Sequence, residues 1–130
     1  MLVSEYITEL KEDTKVNELS LKEKALMLPG LKAKWVARLI NHKNKLAELD
    51  REKKKTIKNI LPKVKENLPV KLNDSVIISK AENIKEVAEI NERIEEQKNI
   101  IDFLERTEKI MSSFSFDISN IVKVVQLETL

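Results

Sequence analysis

The stretch "LKAKWVARLINHKNKLAELDREKKKTIKNIL", Leu31–Leu61, contains no proline or glycine and consists largely of strong helix formers. At about 1.5 Å per residue, 31 such residues make a helix roughly 46 Å long. One face repeats in alternating steps of four and three, which is coiled-coil spacing. That face comprises Trp35, Leu39, His42, Leu46, Leu49, Lys53, Thr56 and Ile60. The pattern predicts one long helix over residues 31–61, which Pro62 ends.

A second stretch predicts a partner for this helix. Ser79-Lys-Ala-Glu82 has the form of a capping box and opens a helix over residues 79–112. Its seam repeats in the same way and comprises Val87, Ile90, Ile94, Gln97, Ile101, Leu104, Glu108 and Met111. Residues 62–78 contain two prolines and no helical stripe, so they are predicted to be a connector with a short extended piece at 76–78. Two such helices most simply form a long antiparallel hairpin.

Shorter helices are predicted on either side of the hairpin. Residues 1–30 are expected to hold short N-terminal helices interrupted at Pro29-Gly30. Residues 117–128 are expected to form a separate C-terminal amphipathic helix with an apolar stripe of Ile118, Ile121, Val122 and Val125. A protein of this shape buries little core for its surface, and exposed apolar stripes mark subunit contacts. The sequence therefore predicts a single all-α domain over residues 1–130 that forms a homo-oligomer through the C-terminal helix.

Several function classes find no support in the sequence. It has no cysteine and one histidine, and it shows no glycine-rich phosphate loop, nucleophile elbow or spaced set of metal ligands. No apolar run approaches the roughly 20 residues that cross a bilayer, and the N-terminal segment does not resemble a signal peptide. We therefore expect a cytoplasmic protein that is not an enzyme, with no catalytic residues, metal, cofactor or membrane partner.

Charge is strongly segregated along the chain. Residues 32–66 carry 12 basic and 4 acidic side chains, whereas residues 67–130 carry 8 basic and 12 acidic ones. Four cations at helical positions i, i+3, i+4 and i+7 share one face, and a fifth extends the charge into the connector. These candidate DNA-binding residues are Arg51, Lys54, Lys55, Lys58 and Lys63.

Two interpretations of this basic face stay open from the residues themselves. It could contact the phosphates of nucleic acid, and the scarcity of aromatic residues would make that contact mainly electrostatic and dependent on salt. Alternatively, the nine acidic residues between Glu82 and Glu108 could neutralise it within the hairpin. In that case the protein would be a coiled-coil adaptor or prefoldin-like protein-binding scaffold that does not bind DNA.

Taken whole, the order of parts resembles the family of the phage recombination mediator UvsY. The resembling stretches are "ELKEDTKVNELSLKEKALMLPGLKAKW", ending at Trp35, the basic helix up to Lys58, and "INERIEEQKNIIDFLERTEKIMSSFSFDISNIVKVV", starting at Ile90. The resemblance implies a non-enzymatic protein of a bacteriophage, acting in the host cytoplasm in DNA recombination and repair. It also implies a ring-like homo-oligomer of six or seven subunits.

The same resemblance implies a function. Such proteins bind single-stranded DNA and help load a RecA-like phage recombinase onto strands covered by a single-strand-binding protein. Two basic residues, two positions apart near the end of the long helix, are important for DNA binding in the family. The first matches Lys58, whereas the second falls on Ile60, which is apolar here.

Overall fold

The computed structural model describes residues 2–66 and 73–128, and in this part the chain forms four α-helices and no strand. In chain order these are α1 (Leu2–Asp13), α2 (Leu21–Glu66), α3 (Asp74–Glu82) and α4 (Lys85–Glu128). The long helices α2 and α4 pack against each other with antiparallel chain directions. The prediction of an all-α fold built on a long antiparallel helix pair is therefore confirmed.

The chain forms two compact units, and each long helix contributes a segment to both of them. Unit 1 comprises Met1–Asn41 and Ile100–Leu130, and unit 2 comprises His42–Asn99. Helix α1 lies in unit 1 and α3 lies in unit 2. This division does not decide whether residues 1–130 behave as a single domain, which stays a prediction.

The core of unit 1 is built where α1, α2 and α4 meet. Trp35 of α2 is 2% exposed, and its ring contacts Tyr6 of α1 edge-on at 5.7 Å and Phe103 of α4 at 6.5 Å between ring centroids. Along α4 the buried positions recur in steps of three and four at Ile100, Leu104, Thr107, Met111, Phe114 and Ile118. This stripe passes through Thr107 rather than the predicted Glu108, which is exposed. The shift arises because Ile100 follows Gln97 after three residues, where the predicted repeat continues four residues later at Ile101.

The core of unit 2 follows the predicted seams closely. On α2, His42 and Ile60 are buried, and Leu46, Leu49, Lys53 and Thr56 between them are half-buried. Val87, Ile90 and Ile94 of α4 are buried, together with Ile77 and Ala81 of α3. The heptad spacing therefore identified the packed side of both long helices in this unit.

Helix α2 is longer than the sequence predicts at both ends. The expected interruption at Pro29-Gly30 is wrong, because α2 runs through both residues, and the expected stop at Pro62 is wrong, because α2 continues to Glu66. A proline inside a helix costs about 3 kcal/mol, since it removes one hydrogen bond and its ring crowds the preceding turn. Burying a leucine contributes about 1.5–3 kcal/mol. Leu21 and Leu31 are buried on either side of Pro29 and offset that cost.

The second half of the chain also departs from the predicted boundaries. Residues 76–78 are helical in α3, not extended, because Asn73 caps this helix by accepting a hydrogen bond from the Val76 N–H at 3.0 Å. Ser79 consequently lies inside α3 and does not open the long helix, which begins at Lys85. No break separates residues 112 and 117, since α4 continues to Glu128 with Phe114 and Ile118 extending the buried stripe.

Part of the predicted connector, residues 67–72, lies outside the described residues. Residues 62–66 of the connector belong to α2, and residues 74–78 belong to α3. A search of the described helices finds none with both the length and the apolar character needed to span a bilayer.

Candidate nucleic-acid interface

The five basic residues singled out in the sequence all lie on the part of α2 that belongs to unit 2. Arg51, Lys54, Lys55 and Lys58 are exposed, and helical geometry places them on one side of the helix. At 3.6 residues per turn, this side lies roughly opposite the seam formed by Leu46, Leu49, Lys53, Thr56 and Ile60. We call these four residues the basic face.

The fifth residue, Lys63, lies in the last turn of α2 rather than in a connector. It is also exposed. A cation in the last turn of a helix interacts favourably with the partial negative charge of the helix C-terminus. Lys63 therefore adds positive charge near the basic face and also stabilises the end of α2.

The described acidic residues of unit 2 make no ion pair with the basic face. Within residues 2–66 and 73–128, neither the four cations of the basic face nor Lys63 makes an ion pair. The neighbouring Lys53 instead turns inward, and its Nζ lies 3.3 Å from Oε1 of Glu82 in α3. On α4, the Glu95 carboxylate pairs with Lys98 of its own helix. The charge of the basic face is therefore directed to solvent.

A groove of unit 2 differs from the basic face because it carries acidic as well as basic side chains. It is lined by Lys45, Glu48, Leu49, Glu52, Arg93, Glu96 and Gln97. Three carboxylates against two cations make this groove unsuited to a polyanion. Of these two surfaces of unit 2, the basic face is the one whose charge suits a polyanion.

A second charged cluster lies in unit 1, where α1 packs on α2. Oδ2 of Asp13 accepts hydrogen bonds from Lys34 Nζ at 2.5 Å and from Trp35 Nε1 at 2.9 Å. Arg38 donates to both carboxylate oxygens of Glu9, and its guanidinium lies 4.8 Å from the ring centroids of both Tyr6 and Trp35. This cluster has no signal in the sequence because its hydrogen-bonded partners lie 21–29 positions apart, and no local pattern pairs residues at that separation.

The four residues predicted to mediate oligomerisation differ in their exposure. Ile118 is 4% exposed and buried within unit 1, whereas Ile121 is 36% exposed and Val122 and Val125 are half-buried. The most exposed large apolar side chains at this end of α4 are Phe116, Val124 and Leu127. The exposed apolar surface of the described C-terminal end therefore includes Ile121 of the predicted stripe and three positions that the stripe did not include.

The described residues form no site for a metal ion. No group of three or more His, Cys, Asp or Glu side chains within residues 2–66 and 73–128 is placed to hold a metal ion. The one histidine, His42, is buried, and its Nδ1 lies 2.7 Å from Oε1 of Gln97. The arrangement places His42 in the packing between helices.

Comparison with known proteins shows where this fold occurs. No protein-family model matches the chain, and no curated protein sequence matches it. Among solved structures, it is similar to crystal structures of the bacteriophage T4 recombination mediator protein UvsY. The lattice type IV structure gives a TM-score of 0.84 at 19% identity, covering 98% of this chain and 99% of that chain.

Two further crystal forms of the same protein agree with this result. The lattice type II structure gives a TM-score of 0.78 at 17% identity, covering 98% of this chain and 97% of that one. The lattice type I structure gives a TM-score of 0.77 at 17% identity, covering 98% and 99%. The chain therefore has the fold of UvsY over nearly its whole length.

Proposed function

We propose that this protein is a recombination mediator that binds single-stranded DNA and helps load a RecA-like phage recombinase onto strands covered by a single-strand-binding protein. The observation that carries the proposal is the basic face of Arg51, Lys54, Lys55 and Lys58, which is exposed and makes no ion pair within the described residues. The likeness of the whole fold to a recombination mediator supports the same role.

The chemistry of the basic face suits the backbone of nucleic acid rather than its bases. Lysine ammonium groups contact phosphates as point charges, and the arginine can bind one phosphate in a bidentate manner. No aromatic side chain belongs to this face, so bases cannot stack on it and their identity is not read. Binding is consequently independent of sequence, which a protein that acts on any single strand requires.

In this proposal, several copies of the chain act together. One patch of four cations binds weakly, but a homo-oligomer of six or seven subunits repeats it and raises the overall affinity. A strand held by its phosphates leaves its bases exposed to the recombinase. The single-strand-binding protein is displaced because both proteins compete for the same backbone. We place this activity in the cytoplasm of the bacterial host, and it needs neither a cofactor nor an enzymatic step.

A scaffold that binds proteins and not DNA is the second candidate. The observation in its favour is the set of large apolar side chains exposed on α2 of unit 1, where Leu26 is 73% and Ile40 is 52% exposed. Exposed apolar surface of this kind marks contact with other proteins. Both candidates predict association with protein partners, so DNA binding is the property that separates them.

The experiment that tests the proposal measures affinity for single-stranded DNA at several salt concentrations. If the basic face contacts four phosphates, the slope of log K against log salt is about −2.8, and a fourfold rise in salt weakens binding by roughly 50-fold. The variant Lys54→Ala/Lys55→Ala/Lys58→Ala should lower the magnitude of the slope to about 0.7, since a single cation remains on the face.

A matched control separates the basic face from net charge. The variant Lys15→Ala/Lys22→Ala/Lys85→Ala removes the same charge from three exposed lysines that make no ion pair within the described residues. We expect its salt slope to stay at the wild-type value. Equal losses in both triple variants would show that the basic face has no special role. A wild-type protein that binds no single-stranded DNA at low salt would favour the scaffold.

A further inference from the structure

We propose a second binding site for single-stranded DNA, formed in unit 1 by Lys34, Arg38 and Trp35 of α2, which the carboxylates of α1 occupy in the free protein. The ligand is the phosphate backbone together with one stacked base. This inference rests on the proposed function, because it assigns a second contact to the same class of ligand. The juxtaposition of Glu9 and Asp13 with these three side chains is the observation that carries it.

The contacts of α1 are those that a phosphate group would make. Arg38 donates to both oxygens of the Glu9 carboxylate, which is the fork geometry that guanidinium groups also use for phosphate. Lys34 Nζ lies 2.5 Å from Oδ2 of Asp13 and 3.5 Å from Oε2 of Glu9. Lys34 and Arg38 are four residues apart and share one side of α2. Two anionic groups are thus held side by side by two cations.

Trp35 adds to this cluster an aromatic ring, which the basic face lacks. Its indole N–H donates to Asp13, its ring packs against Tyr6 of α1, and it is 2% exposed. Displacement of α1 removes both contacts and uncovers the side of the ring that faced α1, next to two cations, while the contact with Phe103 of α4 remains. Proteins bind single-stranded nucleic acids through such combinations, because the bases stack on the aromatic ring and the phosphates interact with the cations.

Helix α1 is held by one buried residue, by the Tyr6 ring against Trp35 and Phe103, and by polar contacts toward its C-terminal end. Leu10 is its only buried residue. Its Glu9–Arg38 ion pair is partly exposed, with 38% of the Glu9 side chain and 26% of the Arg38 side chain accessible, so solvent screens it. The Asp13 side chain, which pairs with Lys34, is 14% exposed. Residues 14–20 join α1 to α2 and allow α1 to move away while the chain stays connected. Helices with few buried contacts open before the rest of a protein does.

The charge distribution also favours replacement by a polyanion. Residues 2–13 carry four acidic side chains and one basic one, whereas residues 21–41 carry five basic side chains and one acidic one. Helix α1 therefore acts as an acidic segment bound to a basic helix. A strand that supplies several phosphates in one chain competes with the two carboxylates through its higher local charge.

The test uses Trp35, the single tryptophan of the chain, as its own reporter. Addition of single-stranded DNA to the full-length protein should shift or quench the tryptophan emission, because α1 leaves the ring and a base takes its place. The variant Glu9→Gln/Asp13→Asn should bind single-stranded DNA about tenfold more tightly. Its salt slope should also steepen by about 1.4, since two cations no longer have a competing carboxylate.

A control variant distinguishes release of the site from a change in net charge. Glu5→Gln/Glu12→Gln removes the same charge from exposed side chains of the same helix that make no ion pair within the described residues. We expect an affinity gain of about twofold and an unchanged salt slope, because only long-range attraction is altered. Circular dichroism should show that both variants keep α2 and α4 helical.

The outcomes separate this inference from the proposed function. The second site is refuted if single-stranded DNA binds to wild type without any change in Trp35 emission. It is also refuted if Glu9→Gln/Asp13→Asn and Glu5→Gln/Glu12→Gln show the same affinity and salt slope. Neither result contradicts DNA binding by the basic face. If Lys54→Ala/Lys55→Ala/Lys58→Ala abolishes the tight binding but keeps the Trp35 response, the second site binds independently. If neither wild type nor Glu9→Gln/Asp13→Asn binds single-stranded DNA, both proposals fail.

Discussion

Nδ1 of His42 lies 2.7 Å from Oε1 of Gln97, inside the seam between α2 and α4 in unit 2. His42 is 3% exposed, and Gln97 is half-buried. The two residues stand at seam positions that apolar side chains would otherwise fill. A polar pair at such a position fixes the register of the two helices, because any slip along the seam separates the partners.

Loss of Gln97 should therefore weaken the fold. We expect Gln97→Ala to lower the free energy of unfolding by about 1–3 kcal/mol, because it removes a hydrogen-bond partner of a buried side chain. Replacement of both partners, His42→Leu/Gln97→Leu, should cost less than the single change, since neither member of the pair then stays buried without the other. Urea unfolding followed by circular dichroism measures both values.

The nearby Asn99 provides the control for this prediction. It is exposed on α4, so Asn99→Ala should change the free energy of unfolding by no more than about 0.5 kcal/mol. A Gln97→Ala variant as stable as Asn99→Ala would show that the His42–Gln97 contact contributes nothing to stability.

Gly30 should be replaceable with a gain in stability. It lies inside α2 without a positive φ, and apart from its chain neighbours and the backbone of its own helix, no heavy atom stands within 4 Å of the position that a Cβ would take. Glycine in a helix costs about 0.5–1 kcal/mol relative to alanine, so Gly30→Ala should raise the free energy of unfolding by that amount. The midpoint of urea unfolding should rise accordingly. A lower midpoint would indicate that this side of α2 is covered in the assembled protein.

Different residues at the C-terminal end of α4 should affect the stability of the fold and the association of subunits. Ile118→Ala should lower the free energy of unfolding by about 2–5 kcal/mol, because Ile118 is buried within unit 1. Val124→Ser/Leu127→Ser changes two exposed side chains and should leave the unfolding midpoint nearly unaltered. If this end of the chain joins subunits, the second variant should show a lower mass by light scattering. An unchanged mass would place the subunit contact elsewhere.

The fold was largely predictable because its main signal is periodic. Alternating steps of three and four residues identified the packed sides of α2 and α4, down to a histidine and a glutamine at seam positions. The boundaries were less predictable. Pro29 and Pro62 are strong breakers locally, but a helix with buried residues on both sides continues through Pro29, and no local rule weighs that packing against the proline.

The two candidate sites also differ in how much of them a local sequence pattern shows. The basic face was visible in the sequence because its four members lie within one eight-residue span of a single helix. The sequence did not show whether the basic face pairs with acidic residues, because that depends on which side chains α3 and α4 bring near it. In the structure, the basic face makes no ion pair with a described residue. The cluster around Trp35 joins residues from two helices and was invisible for that reason.

The position of the basic face opposite the seam has a consequence for engineering. In the proposed function, the side chains that set nucleic-acid affinity lie on one side of α2, and the side chains that pack against the other helices lie on the opposite side. Substitutions at Lys54, Lys55 or Lys58 can accordingly be chosen for charge alone. A graded series of strand affinities should be obtainable from one scaffold whose melting temperature stays constant.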